Sequence, residues 1–416
     1  MNRSSMLLAF VCTVVAMACT KPPRIVTSAS VPAVPQGAMP FDLPPYLTPV
    51  RNPAIGTDVI RVTEASAGAR VIRHDYARRA AWNADGSRLL LIHPYPARLL
   101  DGRNYRELGR ISSPSDPLWS HTDPSILFGL QGERELVKMD VRTGERTVLR
   151  RFPRHDSVSI GGGEGVQSRD DRFVALLGRR PGGLDLLVVD LAGAGPGPGN
   201  GDATLRFDGY TGPDGDIDWA GVSPTGRFVV VKVDRGASDR GFDVYDRGTL
   251  AWQRRLLPGS LSHADLCTDA AGDEVLVAGD PASTALVSVR LADGHATRVL
   301  EPLNVGYGIH VSCRNVDRPG WAFVSTYPAG DDRGARLGGA IFALRLDGSA
   351  MVEVFAAGAY ALHPADLAYE RQAQAVADPA GARVLFSSDW GDASPHAPVN
   401  SFVARRPLPF FAPGRL

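Results

Sequence analysis

One pattern of apolar and polar positions returns seven times along the chain. In each copy, an apolar or aromatic strand runs into a turn rich in Asp, Pro and Gly, and a second, strongly apolar strand follows. The copies are AAWNADGSRLLLI (80–92), PLWSHTDPSILFGL (117–130), GVQSRDDRFVALLG (165–178), WAGVSPTGRFVVVKV (219–233), LCTDAAGDEVLVAG (266–279), VSCRNVDRPGWAFVS (311–325) and AVADPAGARVLFSSDW (375–390). Such repetition predicts a fold in which one supersecondary unit is used many times.

Two weaker strands follow each of these pairs. The turns between them include Thr143-Gly144, Asp293-Gly294 and Asp347-Gly348, which are hairpin signals because Gly tolerates a positive φ. Four strands per repeat predict an all-β, seven-bladed β-propeller. A β-sandwich is the competing architecture, but its strands need not recur in groups of four.

The two ends of the repeat region predict how the ring closes. The last copy and Ser401–Arg406 supply only three strands, while a spare strand, DVIRVT (58–63), precedes the first copy. We expect this N-terminal strand to complete the last blade, because closure removes the exposed sheet edges. The predicted propeller domain covers residues 54–416.

Composition narrows the classes of partner. Lys and Arg number 45, Asp and Glu also number 45, and the formal net charge is +0. We therefore expect no nucleic-acid partner, since non-specific binding to nucleic acid needs a basic field. No P-loop, dinucleotide fingerprint or EF-hand loop stands in the required context, and we expect a monomer.

The first residues read as an export signal, residues 1–18. Arg3 precedes a short apolar core, Met6–Val15, and Ala16-Met17-Ala18 leads to Cys19. Ala-x-Ala is a general secretory cleavage site, which would give a soluble secreted or periplasmic protein. The same residues are similar to a bacterial lipobox, although Ala16 replaces the usual Leu. We favour lipidation at Cys19, a Pro-rich tether over residues 19–53, and anchoring in the cell envelope.

The exported part keeps two cysteines, Cys267 and Cys313, each with a histidine nearby. His263 precedes the first and His310 precedes the second, on neighbouring inner strands. Two thiolates and two imidazoles form a preferred tetrahedral zinc set, so a structural zinc ion is our favoured interpretation. A disulfide is the alternative expected in an oxidising compartment, and two unlinked thiols are the third.

Polar residues also gather where inner strands begin. In a propeller these positions ring one mouth of the central channel, where ligands usually bind. The set consists of Arg73-His74-Asp75-Tyr76, Ser120-His121, Glu164, Asp216, Asp218, His263, Asp265 and Tyr307. Propellers often use His and Asp near inner strands as structural hydrogen-bonding pairs, and a single residue of this kind is structural more often than catalytic. The tryptophans at blade periodicity are expected to pack between blades.

Several of these segments together resemble a known group. They are AWNADGSRLL after HDY, LWSHTDP, GVSPTGRFVVV, SHADLCTDAAGDEV, HVSCRNVDRPGWAFVS and VLFSSDWG. The sequence resembles bacterial exported seven-bladed propellers related to polysaccharide lyases, namely the ulvan lyases and, more distantly, the oligogalacturonate lyases. The ADGS and SPTG turns are also similar to those of TolB-type, WD40-like repeats.

The resemblance implies β-elimination on an acidic polysaccharide. Such a reaction needs a base, an acid, and a cation or Arg that neutralises the uronate carboxylate. The candidates are His74, His121 and Tyr307 for proton transfer, with Arg73 or Arg314 for the carboxylate. The rival hypothesis is a non-catalytic envelope lipoprotein that binds a glycan or a protein partner at the same mouth.

Overall fold

The computed structural model describes residues 26–27, 41–53, 55–66, 68–193, 202–211, 215–283, 285–301, 307–328, 337–357, 369–392, 394 and 396–406. These residues form β-strands, here numbered in chain order, and two short 3₁₀ turns, Gly161–Gly163 and Tyr369–Arg371. In this part of the chain we find no α-helix, and accordingly no helix with the length and apolar character that crossing a membrane requires.

Three short strands precede the first blade: β1 (Val26–Thr27), β2 (Val50–Arg51) and β3 (Asp58–Arg61). The strands of blades 1 to 3 are β4 (Arg88–Leu91), β5 (Ala97–Asp101) and β6 (Glu107–Ile111); β7 (Ser115–Trp119), β8 (Ile126–Gln131), β9 (Glu135–Asp140) and β10 (Arg146–Arg151); β11 (Ser157–Ile160), β12 (Phe173–Arg180), β13 (Gly183–Asp190) and β14 (Ala203–Asp208). In blade 1 the innermost strand is reduced to the bridge between Trp82 and Leu89.

Blades 4 to 7 follow the same order. Their strands are β15 (Ile217–Val222), β16 (Phe228–Asp234), β17 (Arg240–Asp246) and β18 (Trp252–Leu256); β19 (Ala264–Thr268), β20 (Glu274–Gly279), β21 (Leu286–Arg290) and β22 (Ala296–Leu300); β23 (Tyr307–Ser312), β24 (Trp321–Pro328), β25 (Ala340–Arg345) and β26 (Met351–Ala357); β27 (Val376–Ala377), β28 (Arg383–Ser388) and β29 (Asn400–Arg405). Each blade is an antiparallel meander, which confirms the predicted seven-bladed propeller.

The ring closes as the sequence predicts. Strand β3 pairs antiparallel with β29, with Asp58 opposite Arg405 and Arg61 opposite Phe402. Strand β2 adds to the outside of β3, and β1 adds to the edge of blade 6. A blade built from both ends of the domain ties the first blade to the last and closes the ring.

Part of the predicted tether lies against the propeller. The Phe41 ring packs edge-on against Trp390 with ring centroids 5.4 Å apart, and Leu47 packs against the core between blades 7 and 1. These apolar side chains explain why the segment docks here. The predicted boundary at residues 53 and 54 stays a prediction, and the predicted signal at residues 1–18 and Cys19 lie outside the described residues.

The core is distributed between blades. Within the described residues, seven apolar clusters form, one between each pair of neighbouring blades. Trp82, Trp119 and Trp219 are almost fully buried and belong to three of these clusters, as the sequence predicts. Both faces of every sheet are therefore buried, which explains why the second strands are continuously apolar.

The turns that close the inner strands of six blades contain left-handed backbone. Five glycines there have φ between 63° and 88°: Gly86, Gly226, Gly272, Gly320 and Gly381. In blade 3 the same conformation is taken by Asp171, at φ 57°, a residue type that tolerates it better than most. These turns lie at the end of the channel where inner strands finish, here called the finishing end; the opposite end, where inner strands begin, is the starting end.

Candidate functional site

A hydrogen-bonded cluster of four side chains lies at the starting end of the channel. The Tyr76 hydroxyl oxygen is 2.7 Å from His263 Nδ1 and 3.2 Å from His310 Nδ1. The other ring nitrogen of His310, Nε2, is 2.6 Å from Oε1 of Gln372. We call Tyr76, His263, His310 and Gln372 the tyrosine–histidine cluster. It joins groups from blades 1, 5, 6 and 7 across the channel.

Separate elements deliver each member of this cluster. Tyr76 precedes the inner strand of blade 1, and His263 directly precedes β19. His310 lies within β23 and is fully buried. Gln372 follows the 3₁₀ turn Tyr369–Arg371. Because inner strands converge on the channel axis, residues more than 180 positions apart, such as Tyr76 and His263, meet there.

An aromatic ring covers the cluster toward solvent. Tyr369 stacks on Tyr76 with ring centroids 6.1 Å apart and an interplanar angle of 18°, and it is 41% exposed. The Arg73 guanidinium lies 6.0 Å from the Tyr369 ring centroid. An exposed aromatic face beside a guanidinium is a suitable surface for a ligand with an apolar face and a negative charge.

Burial keeps the imidazoles of the cluster neutral. It lowers the pKa of His310 to about 4, with Arg78 and Arg73 adding to the effect and the Gln372 hydrogen bond opposing it. Burial, followed by the charges of His310, Lys232 and Arg78, holds the pKa of His263 well below its usual range. Burial also raises the pKa of Tyr76 well above its usual value. At neutral pH the cluster therefore consists of neutral rings and a protonated phenol.

A buried guanidinium lies next to the cluster. Arg78 is 2% exposed, stacks 4.2 Å from the Trp219 ring centroid and 5.4 Å from that of Tyr76, and forms an ion pair with Glu164. Among the residues described, none accepts a hydrogen bond from its Nε or Nη1. Buried donors without acceptors are rare in proteins and mark places where a water or a ligand oxygen can bind.

Two of the residues predicted from the sequence lie beside this cluster. Arg73 Nη1 donates to Oε1 of Gln374 at 2.5 Å and to the carbonyl of Asp75 at 2.8 Å. The His74 Nε2 atom is 2.7 Å from the Gln374 carbonyl, and burial together with Arg73 lowers the pKa of His74 to about 3. His74 is 1% exposed, so its contacts are those of a side chain that holds blade 7 against blade 1.

The structure separates two further candidates from this site. His121 follows β7 at the finishing end, where its Nδ1 is 3.2 Å from the carbonyl of Ser168. Arg314 follows β23 at the same end and donates to both oxygens of Asp265 at 3.0 and 3.1 Å. Both line a cavity of about 40 Å³. The side chain of Tyr307, the fifth candidate, lies outside the described part of the structure.

The structure contradicts the zinc site that the sequence favours. Cys267 and Cys313 form a disulfide between β19 and the end of β23, with Cα atoms 5.3 Å apart. A sulfur in a disulfide is not a thiolate and so cannot ligate zinc as predicted. His263 and His310 belong instead to the tyrosine–histidine cluster. The alternative that the sequence also left open, a disulfide between blades 5 and 6, is the observed one.

Sequence reasoning missed several residues of the site. Arg78 and Tyr369 were not singled out, nor were the two glutamines of the short motif Gln372-Ala373-Gln374. The glutamines lie outside the seven repeat copies, directly before the last one. A polar pair in front of an apolar inner strand was the available signal, because that position faces the starting end.

Comparisons with known proteins bear on the fold. No family model matches the chain, and no curated protein matches it. An oligogalacturonate lyase from Vibrio parahaemolyticus superposes with a TM-score of 0.59 at 12% identity, over 86% of this chain and 96% of that chain. An oligogalacturonate lyase in complex with manganese superposes with a TM-score of 0.53 at 14% identity, over 89% and 98% of the two chains.

The tyrosine–histidine cluster offers no carboxylate to a manganese ion. Mn²⁺ prefers carboxylate and carbonyl oxygens, with imidazole as a further ligand. No group of three or more His, Cys, Asp or Glu side chains converges within the described ranges. Both ring nitrogens of His310 are engaged, one by Tyr76 and one by Gln372. We therefore derive no step through a metal.

At these identities the superpositions establish the fold and nothing finer. The resemblance to oligogalacturonate lyases expected from the sequence is thereby confirmed: this chain is a seven-bladed β-propeller with the architecture of the oligogalacturonate lyases.

Proposed function

We propose that this protein is an exported propeller that binds an acidic polysaccharide or oligosaccharide at the starting end of its channel and cleaves it by β-elimination. The observation that carries the proposal is the Tyr76 hydroxyl shared by two neutral imidazoles, His263 and His310, beside the guanidinium groups of Arg73 and Arg78. β-Elimination from a uronate needs these groups: a neutral base, a proton donor and a positive charge near the carboxylate.

His263 is the base of this proposal. Its Nδ1 is held by Tyr76, and no described residue bonds to its Nε2. His263 is half-buried, in contrast to the fully buried His310. The Nε2 lone pair takes the proton next to the uronate carboxylate, and the C–H electron pair forms the ring double bond. The C–O bond to the neighbouring sugar breaks, and the resulting imidazolium returns the proton to the leaving oxygen.

Arg78 and Arg73 supply the positive charge. The proton next to a carboxylate is too weakly acidic to remove unless the developing negative charge is neutralised. Arg78 has two buried nitrogens, Nε and Nη1, whose hydrogens no described residue accepts. Its ion pair with Glu164 offsets part of its charge, and Arg73 provides a second guanidinium, 6.0 Å from the Tyr369 ring centroid. A bound carboxylate also offsets the arginine charges that lower the histidine pKa values, which strengthens the base in the complex.

The substrate class rests on the site and on the fold. The exposed face of Tyr369 offers a platform for a sugar ring, and the arginines select an acidic one. The two superposed proteins named above are oligogalacturonate lyases, which supports uronate sugars as the first class to test. Fold similarity alone does not assign an activity, so the site carries the argument.

Export and lipid anchoring are part of the proposal. They rest on Arg3, the apolar core Met6–Val15 and the motif that ends at Cys19, all outside the described residues. The Cys267–Cys313 disulfide adds support from the folded domain, since disulfides persist in oxidising compartments. Replacing Cys19 with Ser should release the protein from the membrane fraction while export continues.

The test is an assay of uronate cleavage. Purified protein is incubated with polygalacturonate, ulvan and alginate, each as polymer and as short oligomers, and the absorbance of the unsaturated uronate product is recorded. We expect a rise with at least one substrate, and His263→Ala should abolish it. His295→Ala, at an exposed position, is the matched control and should keep the wild-type rate.

The same experiment separates the rival function. Binding of a uronate oligomer, measured by calorimetry, without any unsaturated product would overturn the lyase proposal. That result would favour a non-catalytic envelope protein that binds a glycan. Neither binding nor cleavage across the panel would leave a protein partner as the remaining hypothesis.

A further inference from the structure

The tyrosine–histidine cluster forms a hydrogen-bond chain that has a direction. At its inner end, Oε1 of Gln372 can only accept, so His310 Nε2 carries the hydrogen of their 2.6 Å bond. A neutral His310 then has a lone pair on Nδ1, which accepts the Tyr76 hydroxyl hydrogen at 3.2 Å. The direction of each hydrogen bond in this series thus fixes the direction of the next one.

The direction continues to the mouth of the channel. Because the Tyr76 hydrogen points to His310, the Tyr76 oxygen must accept from His263 Nδ1 at 2.7 Å. A neutral His263 with its hydrogen on Nδ1 has an unprotonated Nε2. The low pKa values of both rings, caused mainly by burial, support the neutral forms on which this sequence depends.

We propose that Gln372 is a positioning residue that fixes the tautomer of His263 through His310 and Tyr76, so that His263 presents a lone pair at Nε2. This inference rests on the proposed function for its catalytic meaning, although the tautomers themselves do not depend on it. If the donor and acceptor ends of Gln372 were exchanged, every hydrogen in the chain would reverse, and His263 would present an N–H.

The consequence for chemistry is specific. An N–H at His263 Nε2 cannot remove a proton from the substrate, whereas a lone pair there can. A half-buried amide, three hydrogen bonds away from the reacting ring, therefore decides whether that ring is a base. His310 contributes as the link in the chain and has no route to substrate, being fully buried behind Tyr76 and Tyr369.

The tautomers can be measured directly in the full-length protein. Nitrogen-15 NMR of histidine-labelled protein distinguishes the two neutral tautomers, and His263→Gln and His310→Gln assign the signals. We expect His263 with its hydrogen on Nδ1 and His310 with its hydrogen on Nε2. Finding the hydrogen of His263 on Nε2 would overturn the proposal.

A pair of near-isosteric variants tests the role of Gln372. Gln372→Glu keeps an acceptor at the end of the chain and should keep both tautomers, with a cleavage rate within about threefold of wild type. Gln372→Met removes the acceptor, so His263 should populate both tautomers and the rate should fall about tenfold at unchanged KM. Equal rates for wild type and both variants, with unaltered tautomers, would contradict the inference.

The outcomes separate this inference from the proposed function. The expected tautomers without cleavage of any uronate would overturn the lyase proposal and leave the positioning role intact. Cleavage that depends on His263, combined with the reversed tautomer, would overturn the positioning role alone. The wild-type spectrum decides the matter even where a variant fails to fold.

Discussion

The two ends of the channel use similar side chains in different ways. At the finishing end, the polar groups tie one blade to the next: Asp171 accepts from Ser120, from Thr122 and from the backbone of His121. Asp265 and Arg314 likewise join blades 5 and 6. At the starting end, Tyr76 joins two neutral imidazoles, and no carboxylate accepts from it among the described contacts.

Structural and functional side chains in this propeller differ in how their hydrogen-bonding groups are satisfied. A histidine or arginine that is satisfied by a carboxylate or carbonyl of the adjacent blade contributes to the stability of the ring. Neutral rings that share one hydroxyl, beside a guanidinium with two nitrogens that no described residue accepts from, retain unused hydrogen-bonding capacity. Such capacity is what a substrate can use. Chemistry is therefore expected at the starting end and stability at the finishing end.

The largest effect on activity is expected from a substitution at the starting end. Tyr76→Phe removes the hydroxyl that holds His263 Nδ1 and His310 Nδ1, so kcat/KM for uronate cleavage should fall between about 10²- and 10⁴-fold, the usual range for general acid–base groups. Steady-state kinetics with the unsaturated product as readout measures it. Tyr245→Phe, which removes a buried hydroxyl in blade 4, is the control, and an equal loss in both variants would contradict the assignment.

The second prediction concerns the contribution of the finishing end to stability. Replacing Cys267 and Cys313 together with Ser opens a loop of 46 residues, and the free energy of unfolding should fall by about 4 kcal/mol. Denaturant unfolding of oxidised wild type and double variant measures the difference. Below its melting temperature, the double variant should cleave substrate at a rate within about threefold of the wild-type rate. A normal stability with lost turnover would place chemistry at this end.

The third prediction concerns the pH dependence of the folding stability. The folded pKa of His310 is about 4, below the 6.5 of the unfolded chain, so the unfolded state binds more protons in acid. The contribution of this residue to stability is complete above pH 6.5 and is lost as the pH falls toward 4, by about 3 kcal/mol. His310→Gln should flatten the stability profile between pH 6.5 and 4, whereas exposed His295→Gln should leave it unchanged. If the pH profile of stability for His310→Gln ran parallel to that of wild type, the His310 ring would not be held neutral in the folded protein.

The smallest effect concerns His121. His121→Leu loses the bond between Nδ1 and the Ser168 carbonyl, so thermal unfolding should show a loss of stability of about 1 kcal/mol. The rate of uronate cleavage should be unchanged. A loss of turnover at unchanged stability would restore His121 to the catalytic role that its sequence context suggested.

The architecture was readable from the sequence because its signals are local. These signals are the strongly apolar strands, turns such as Ala84-Asp85-Gly86, and the spare strand Asp58–Arg61. Each reflects the conformation of a few neighbouring residues, and the repetition of strands and turns predicts blades. Ring closure followed from the count of strands in the last blade. The two cysteines on adjacent inner strands were likewise predicted to meet, although the sequence did not decide between zinc and a disulfide.

The candidate site depended on positions that local signals do not fix. Arg73 and His74 were placed at the correct mouth of the channel, but His121 and Arg314 face the other one, because each follows its inner strand and does not precede it. Gln372 and Tyr369 lie outside the repeats, so periodicity could not reveal them. The blades, their number and their closure could be predicted because they arise from short-range pattern and turn chemistry. The hydrogen-bond chain of Tyr76, His263, His310 and Gln372 could not, because it forms only when converging inner strands bring together residues from four different blades.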